Sequence, residues 1–277
     1  MRWIKMYSGE WSLILFSILT QCAVGIWVVA VGLRTFLTGK TAPEIVAKLT
    51  RRPLLVVGPL MCVALVISIF HLGSPTQAYA SVANLLTSWL SREIVFSGLF
   101  LFFWVISIVF YRREAPGTAL GWFTSALGLI AVFSMSSIYY TTPIPAWASA
   151  NTYISFFATM LILGAVVCAL FMKTVRDFPN VPEVRGLLWK LSILTLGVLL
   201  VQLAFFLFNS ESYSLLPLLY CTLLFLGGIN FVVYSFQNFK NPGKSLRSVF
   251  YLSFILLFSA QIIGRYLFYA GAIPIMG

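Results

Sequence analysis

The sequence predicts an all-α integral membrane protein, with about eight transmembrane helices in one polytopic domain that spans residues 1–277. Sixty per cent of the 277 residues are hydrophobic and 9% are charged, whereas a soluble domain carries roughly 25% charged residues. A spanning helix needs roughly 20 mostly apolar residues, so the apolar supply is sufficient for about eight. Backbone groups that face lipid need internal partners, and each apolar stretch is therefore expected to be helical.

Eight apolar stretches follow one another along the chain. Their approximate ranges are 11–37, 53–72, 93–111, 119–140, 152–172, 188–208, 215–236 and 246–271. The first follows Arg2 and Lys5, as in a signal peptide, but its length and the lack of a small-residue cleavage site predict a retained helix. Turn signals separate the others: Pro43 in 40–52, Gly73-Ser74-Pro75, the charged segment 112–117, Pro143 and Pro145, Pro179 and Pro182, and Asn241-Pro242-Gly243.

Basic residues concentrate in alternate connections between these stretches. The first, third, fifth and seventh connections contain Arg34, Lys40, Lys48, Arg51, Arg52, Arg112, Arg113, Lys173, Arg176, Arg185, Lys190, Lys240, Lys244 and Arg247, and the other three contain only Arg92. Because basic loops remain in the cytoplasm, both termini are expected on the periplasmic side. The same rule accounts for the net charge of +11 without nucleic acid as a partner. Tyr139, Tyr140, Trp147 and Tyr153 flank an outer connection, as an interfacial aromatic belt would.

The composition gives no sign of a bound metal centre. The single histidine, His71, excludes a haem held by two histidines. The cysteines at 22, 62, 168 and 221 lie in apolar runs without metal-site spacing, and we interpret them as small buried residues. We therefore expect no haem, Fe–S cluster or other metal on this chain.

Three ionisable residues are expected at one depth near the outer face: His71, Glu93 and Arg265. Arg265 lies roughly 9 Å inside the last helix at 1.5 Å per residue, where ionisable residues usually face the bundle interior. Gln21 and Gln261 are uncharged polar candidates on the first and last helices. Residues 81–92 between His71 and Glu93 predict either a short interfacial helix or an extension of the third helix.

These residues suit proton-coupled oxidation of a lipid-soluble quinol. Histidine, with an unperturbed pKa of about 6.5, can accept a proton near neutral pH, and a partly buried carboxylate can be the second acceptor. Structural roles remain as alternatives: His71 can end a helix, Glu93 can complement a helix dipole, and Arg265 can extend to the interface.

Three stretches resemble the membrane anchor subunit of the anaerobic dimethyl sulfoxide reductase family. The first stretch is Glu10-Trp11-Ser12-Leu13, followed by Phe16 and Thr20-Gln21-Cys22-Ala23-Val24-Gly25. The second and strongest is His71-Leu72-Gly73-Ser74-Pro75, followed by Ala78-Tyr79 and Ser91-Arg92-Glu93-Ile94. The third is Gln261-Ile262-Ile263-Gly264-Arg265, followed by Phe268-Tyr269. Gln261 departs from the family pattern, in which a glutamate stands at this position.

The resemblance implies a three-subunit complex of anaerobic respiration in the bacterial inner membrane. This chain would oxidise menaquinol, a ferredoxin-like Fe–S subunit would carry the electrons, and a molybdopterin subunit would hold the molybdenum and the terminal reductase centre. His71 and Glu93 would act in the oxidation. The expected menaquinol-binding set is His71, Glu93, Arg265, Gly73, Ser74, Tyr79 and Gln21.

Three other functions remain as alternatives. One is a quinol-handling anchor of the polysulfide or nitrite reductase type. Another is a small-molecule transporter, for which the sequence lacks the typical inverted repeats and interrupted helices. The third is a purely structural anchor that binds membrane lipid and its partners but no quinol.

Overall fold

Eight long α-helices make up most of the protein in a computed structural model, which describes residues 11–70, 84–111, 118–173, 175, 181–209, 214–241 and 247–271. Helices α1 to α8 are Trp11–Leu37, Pro43–Ile69, Trp89–Tyr111, Thr118–Tyr140, Ala150–Lys173, Pro182–Asn209, Leu215–Lys240 and Arg247–Ala270. All eight are long and apolar enough to cross a membrane, and the described residues contain no strand. The prediction of an all-α membrane protein with eight spans is confirmed, and the side on which the termini lie stays a prediction.

Helix α1 is the centre of the bundle. It packs most extensively against α2 and α5 and also contacts α4, α6 and α8. At its crossing with α5, Gly25 lies directly against the backbone of Met160 and Gly164, and a Cβ atom on either glycine would overlap the opposing backbone. Small residues allow such close approach between transmembrane helices, so this glycine pair allows α1 and α5 to cross closely.

Contacts between helix ends define two ends of the bundle. The rings of Trp11 and Phe70, 5.9 Å apart, bring the start of α1 to the end of α2. We call this the Arg265 end, because α8 also finishes there. Trp122 Nε1 donates a 3.1 Å hydrogen bond to Thr35 Oγ1 and joins the start of α4 to the end of α1. This opposite end, where α1 ends at Leu37 and α2 begins at Pro43, is the basic end.

Several helices begin earlier than the apolar stretches predict. α2 starts at Pro43 rather than 53, α3 at Trp89 rather than 93, and α6 at Pro182 rather than 188. Proline suits the first turn of a helix, and polar residues continue a helix beyond the lipid. Hydropathy therefore locates the span but not the helix start.

The segment before Glu93 combines a turn with an extended helix. Residues 84–87 form a turn, and Arg92 closes it by donating to the carbonyl oxygens of Leu85 and Leu86. The short helix predicted over 81–92 is wrong for 84–87, whereas the extension of α3 is found from Trp89 onward. Residues 81–83 lie outside the described residues.

The four cysteines are free thiols in unequal surroundings. Cys22 and Cys168 are buried, Cys221 is half-buried and Cys62 is exposed on α2. The prediction that all four are buried is wrong for Cys62. Apolar sequence around a residue does not distinguish a side chain that faces the core from one that faces lipid.

Candidate functional site

A buried arginine is the centre of the candidate site. Arg265 of α8 is 2% exposed and lies five residues before Ala270, about 7.5 Å inside the helix end. Its Nη2 donates a 2.7 Å hydrogen bond to Gln21 Oε1 on α1. Its Nε and Nη1 are buried and have no acceptor among the described residues. The side chain therefore faces the interior rather than extending to the interface, and two of its donor nitrogens, Nε and Nη1, are available to an oxygen ligand.

Gln21 fixes the orientation of this guanidinium. It is fully buried, and its Nε2 points at the sulfur of Met135 on α4, 3.5 Å away. Because the amide nitrogen faces Met135, the amide oxygen is directed at Arg265. Helices α1, α4 and α8 thus meet at one polar contact in an otherwise apolar region.

Five aromatic side chains enclose the guanidinium toward the Arg265 end, and we call them the aromatic cluster. Its members are Tyr139, Trp147, Phe156, Phe268 and Tyr269. The Arg265 Cζ atom lies 3.7 Å from the Phe156 ring centroid and 5.5 Å from that of Phe268. Cation–π contact of this kind partly compensates the desolvation of a buried arginine. Trp147 stacks on Phe268 and donates a 2.8 Å hydrogen bond to its carbonyl oxygen, which holds the 141–149 connection over the site.

Glu93 is the acidic residue of the same end. It lies in the second turn of α3 and is 4% exposed. No hydrogen bond or ion pair joins it to another residue in the described ranges. The hydroxyl groups of Tyr139 and Tyr269 are 3.0 Å apart, and both phenols interact electrostatically with Glu93 and with Arg265. The tyrosine pair therefore connects the surroundings of the carboxyl group to those of the guanidinium.

The structure describes only part of the predicted set. Gln21 and Arg265 are in direct contact, and Glu93 is near them through the two phenols. His71, Gly73, Ser74 and Tyr79 lie outside the described residues. Phe70, the last described residue before His71, contacts Trp11 at the Arg265 end. The placement of the histidine stays a prediction.

Gln261, the other polar candidate of α8, belongs to a separate group one turn below Arg265. Its amide exchanges two 3.2 Å hydrogen bonds with the amide of Gln202 on α6, and Thr159 Oγ1 on α5 lies 2.7 Å from its Oε1. These three side chains satisfy one another and join α5, α6 and α8. Interhelical hydrogen bonds of this type stabilise membrane bundles, so Gln261 orients the helix that carries Arg265.

Sequence reasoning missed most of the aromatic cluster as part of the site. It interpreted Tyr139 and Trp147 as members of an interfacial belt, and it did not single out Phe156. Tyr269 is 2% exposed, and its pairing with Tyr139 across α4 and α8 has no local sequence signal. The only signal available was that Phe268-Tyr269 follows Arg265 by three and four residues, which places all three on one helix face.

Comparison with known proteins identifies the family. The family model described as "DMSO reductase anchor subunit (DmsC)" matches residues 6–271. The C subunit of anaerobic dimethyl sulfoxide reductase from Haemophilus influenzae is 27% identical over 94% of each protein, and the C subunit from Escherichia coli is 25% identical over 94% of each. The YnfH subunit of an anaerobic dimethyl sulfoxide reductase from Escherichia coli is 30% identical over 60% of this protein, and the match spans 59% of that relative's length. Because the family match covers nearly all of the eight-helix bundle, this multi-pass membrane protein belongs to the family of DMSO reductase anchor subunits.

Proposed function

We propose that this chain oxidises menaquinol at the Arg265 site and passes the electrons to an Fe–S subunit of a molybdopterin reductase. The observation that carries the proposal is the pair of unpartnered donor nitrogens on Arg265, buried at the end of the bundle that also holds Glu93. Retaining a buried cation with unused donors is costly, and a ligand oxygen in that position would compensate the cost.

The quinol headgroup offers the matching acceptors. Quinol oxidation releases two electrons and two protons and converts both hydroxyl groups to carbonyl groups. A quinol oxygen accepts hydrogen bonds from Arg265 Nε and Nη1, and the positive charge favours the deprotonated oxygen that precedes electron loss. Gln21 holds the guanidinium in place through Nη2. The apolar ring system would pack against aromatic side chains such as Phe156 and Phe268.

The two protons need acceptors near that oxygen. His71 is the first acceptor in this proposal, since neutral imidazole takes a proton near neutral pH. Glu93 is the second, and Tyr139 and Tyr269 interact electrostatically with both its carboxyl group and Arg265. The hydroxyl groups of Tyr139 and Tyr269, 3.0 Å apart, would relay the proton toward Glu93. Glu93 can then accept it without forming an ion pair to Arg265.

Family membership implies catalytic and electron-transfer partner subunits. We infer that the electron-transfer subunit is ferredoxin-like and docks at the Arg265 end, because electron transfer requires a cluster near the quinol. The relatives are named as subunits of anaerobic dimethyl sulfoxide reductases, and this supports a sulfoxide as terminal acceptor. The protein itself would hold no haem, Fe–S cluster or molybdenum.

We infer that the Arg265 end faces the periplasm of a bacterial inner membrane, so that the protons are released there. The support is the charge distribution, since fourteen of the 18 Lys and Arg residues lie in the first, third, fifth and seventh connections predicted from the sequence. A periplasm-active reporter enzyme joined after Gly277 is expected to be active, and a cytoplasm-active reporter at the same position silent. The reverse pattern would place the quinol site at the cytoplasmic face.

Replacement of Glu93 by Gln tests the chemistry of the site. The amide keeps the size of the side chain but cannot accept a proton, so naphthoquinol-dependent reduction of the terminal acceptor is expected to fall by about 10²-fold. Reduction driven by a viologen dye, which donates directly to the partner subunits, should be unchanged. The matched control is Glu183→Gln, an exposed carboxylate in the first turn of α6. If the Glu93 variant oxidised quinol as fast as this control, the protein would be a structural anchor at this site.

A further inference from the structure

A cavity of about 870 Å³ opens at the basic end, far from the Arg265 site. It lies between the last turns of α1, the 38–42 turn, the first turns of α2 and the end of α3. Arg34, Thr38 and Arg51 line its polar side, and Leu54, Leu55 and Ile108 line its apolar side. The volume is within the range of small-molecule sites, and the cavity is amphipathic.

The two arginines lie at the expected depth of lipid headgroups. Arg34 is the first basic residue after the apolar part of α1, and Arg51 comes shortly before the apolar part of α2, which begins at Pro53. Leu54 and Leu55 follow toward the bilayer, and Leu55 is 40% exposed. A ligand that contacts both sides of the cavity therefore has an anionic head at the interface and an apolar tail along α2 and α3.

The start of α2 adds to the attraction for an anion. Its N-cap residue, Ala42, makes no side-chain capping hydrogen bond. Pro43 has no N–H, and the N–H groups of Ile45 and Val46 donate to the Ala42 carbonyl oxygen, so the attraction comes from the positive end of the helix dipole. Gly39 adopts φ +79° and allows the tight turn that brings α1 and α2 together. Glu44 also lines the cavity. Its negative charge cancels one of the two positive charges of Arg34 and Arg51, so the net charge of the lining is +1.

The apolar side of the cavity is fixed by a contact between α2 and α3. Trp104 Nε1 donates a 2.7 Å hydrogen bond to the carbonyl oxygen of Leu54, and its ring lies directly against Gly58, where a side chain would overlap it. This contact keeps the two helices in position beside the cavity. The apolar side of the cavity is thus held open by the protein itself, and the two helices do not close over it.

We propose that this cavity binds the phosphate headgroup of an anionic phospholipid, with the acyl chains against Leu55 and Ile108. Arg34 and Arg51 contact the phosphate from two different helices, so the lipid joins α1 to α2. A free phosphate ion has the same charge chemistry but leaves the apolar side of the cavity in contact with water, which is unfavourable. A zwitterionic phospholipid has the tails without the net negative charge. Basic sites between transmembrane helices recognise anionic headgroups in this way.

The test measures lipid-dependent thermal stability and bound lipid on the intact membrane complex in a mild detergent. Phosphatidylglycerol is expected to raise the unfolding midpoint and to be retained in native mass spectra, while phosphatidylcholine and inorganic phosphate are not. The double variant Arg34→Gln/Arg51→Gln should weaken phosphatidylglycerol binding about 30-fold, from roughly fivefold per basic residue. The control Arg185→Gln lies at the same end, outside the cavity, and should leave binding unchanged.

Three outcomes would overturn the proposal. Equal stabilisation by inorganic phosphate would make the site a free-phosphate site, and equal stabilisation by phosphatidylcholine would remove the role of charge. An equal loss of binding in Arg185→Gln would reduce the effect to general surface charge. If the double variant fails to assemble, the same three additives are compared on the unaltered complex and on Arg51→Lys, which keeps the charge. Stabilisation of both proteins by phosphatidylglycerol alone would support the proposal, and equal stabilisation by another additive would overturn it.

Discussion

The two ends of the bundle use arginine in opposite ways. At the basic end, Arg51 and Arg52 are exposed in the third turn of α2, and exposed basic residues of this kind generally set the orientation of a membrane protein. At the other end, Arg265 is 2% exposed, contacts Gln21, and has two N–H groups without an acceptor among the described residues. The difference teaches that near-complete burial together with unused donors, and not charge alone, separates Arg265 from the exposed arginines of the basic end.

Replacing His71 by Arg should produce the largest loss, because it exchanges the proposed proton acceptor for a permanent cation at the Arg265 end. Quinol-dependent electron flow is expected to fall by about 10²–10⁴-fold, the usual contribution of a positioned acid–base group. Assembly of the complex and viologen-driven reduction should persist. The readouts are steady-state naphthoquinol oxidation and subunit retention in purified membranes, and unchanged quinol oxidation would remove His71 from the site.

Arg265→Gln is expected to have the next largest effect, and it tests the comparison between the Arg265 end and the basic end directly. Loss of two charge-assisted hydrogen bonds to the quinol oxygen should lower kcat/KM for quinol by about 10–100-fold. Thermal stability should not decrease, because the substitution removes an incompletely paired buried charge. The matched variant Arg185→Gln at the basic end should leave kcat/KM for quinol unchanged, and an equal loss of kcat/KM in both variants would erase the difference between the ends.

The sequence was sufficient for the fold and for much of the identity of the site, but not for its geometry. Apolar stretches located all eight spans because lipid requires helices, and the scarcity of charge made Glu93 and Arg265 conspicuous. The sequence could not show which phenols would meet, since Tyr139 and Tyr269 are 130 residues apart in the chain. It also could not show that Gln21 would face Arg265 while Gln261 would pair with Gln202, because both glutamines occupy similar apolar surroundings in sequence.

Gln21→Leu is expected to have the smallest effect and separates positioning from binding. Without its acceptor, Nη2 of Arg265 becomes a third unpartnered donor, at a cost of about 1–3 kcal/mol in stability. Quinol oxidation should fall only about tenfold, because the ligand-facing Nε and Nη1 remain but their orientation is less fixed. Thermal unfolding and the KM for naphthoquinol are the two measurements.

The double variant Gln21→Leu/Arg265→Leu, measured with the single variants Gln21→Leu and Arg265→Leu, completes this argument as a thermodynamic cycle. Replacing both members of a buried polar pair by apolar residues is often neutral or stabilising, whereas removing one member is destabilising. Stability is therefore expected to recover to at least the unaltered value, with a coupling energy of about 0.5–3 kcal/mol between the two sites. Quinol oxidation should not recover, since no donor remains for the quinol oxygen. A double variant that regained activity together with stability would mean that Arg265 holds α1 and α8 together, and the Arg265 end would then resemble the basic end in having no ligand of its own.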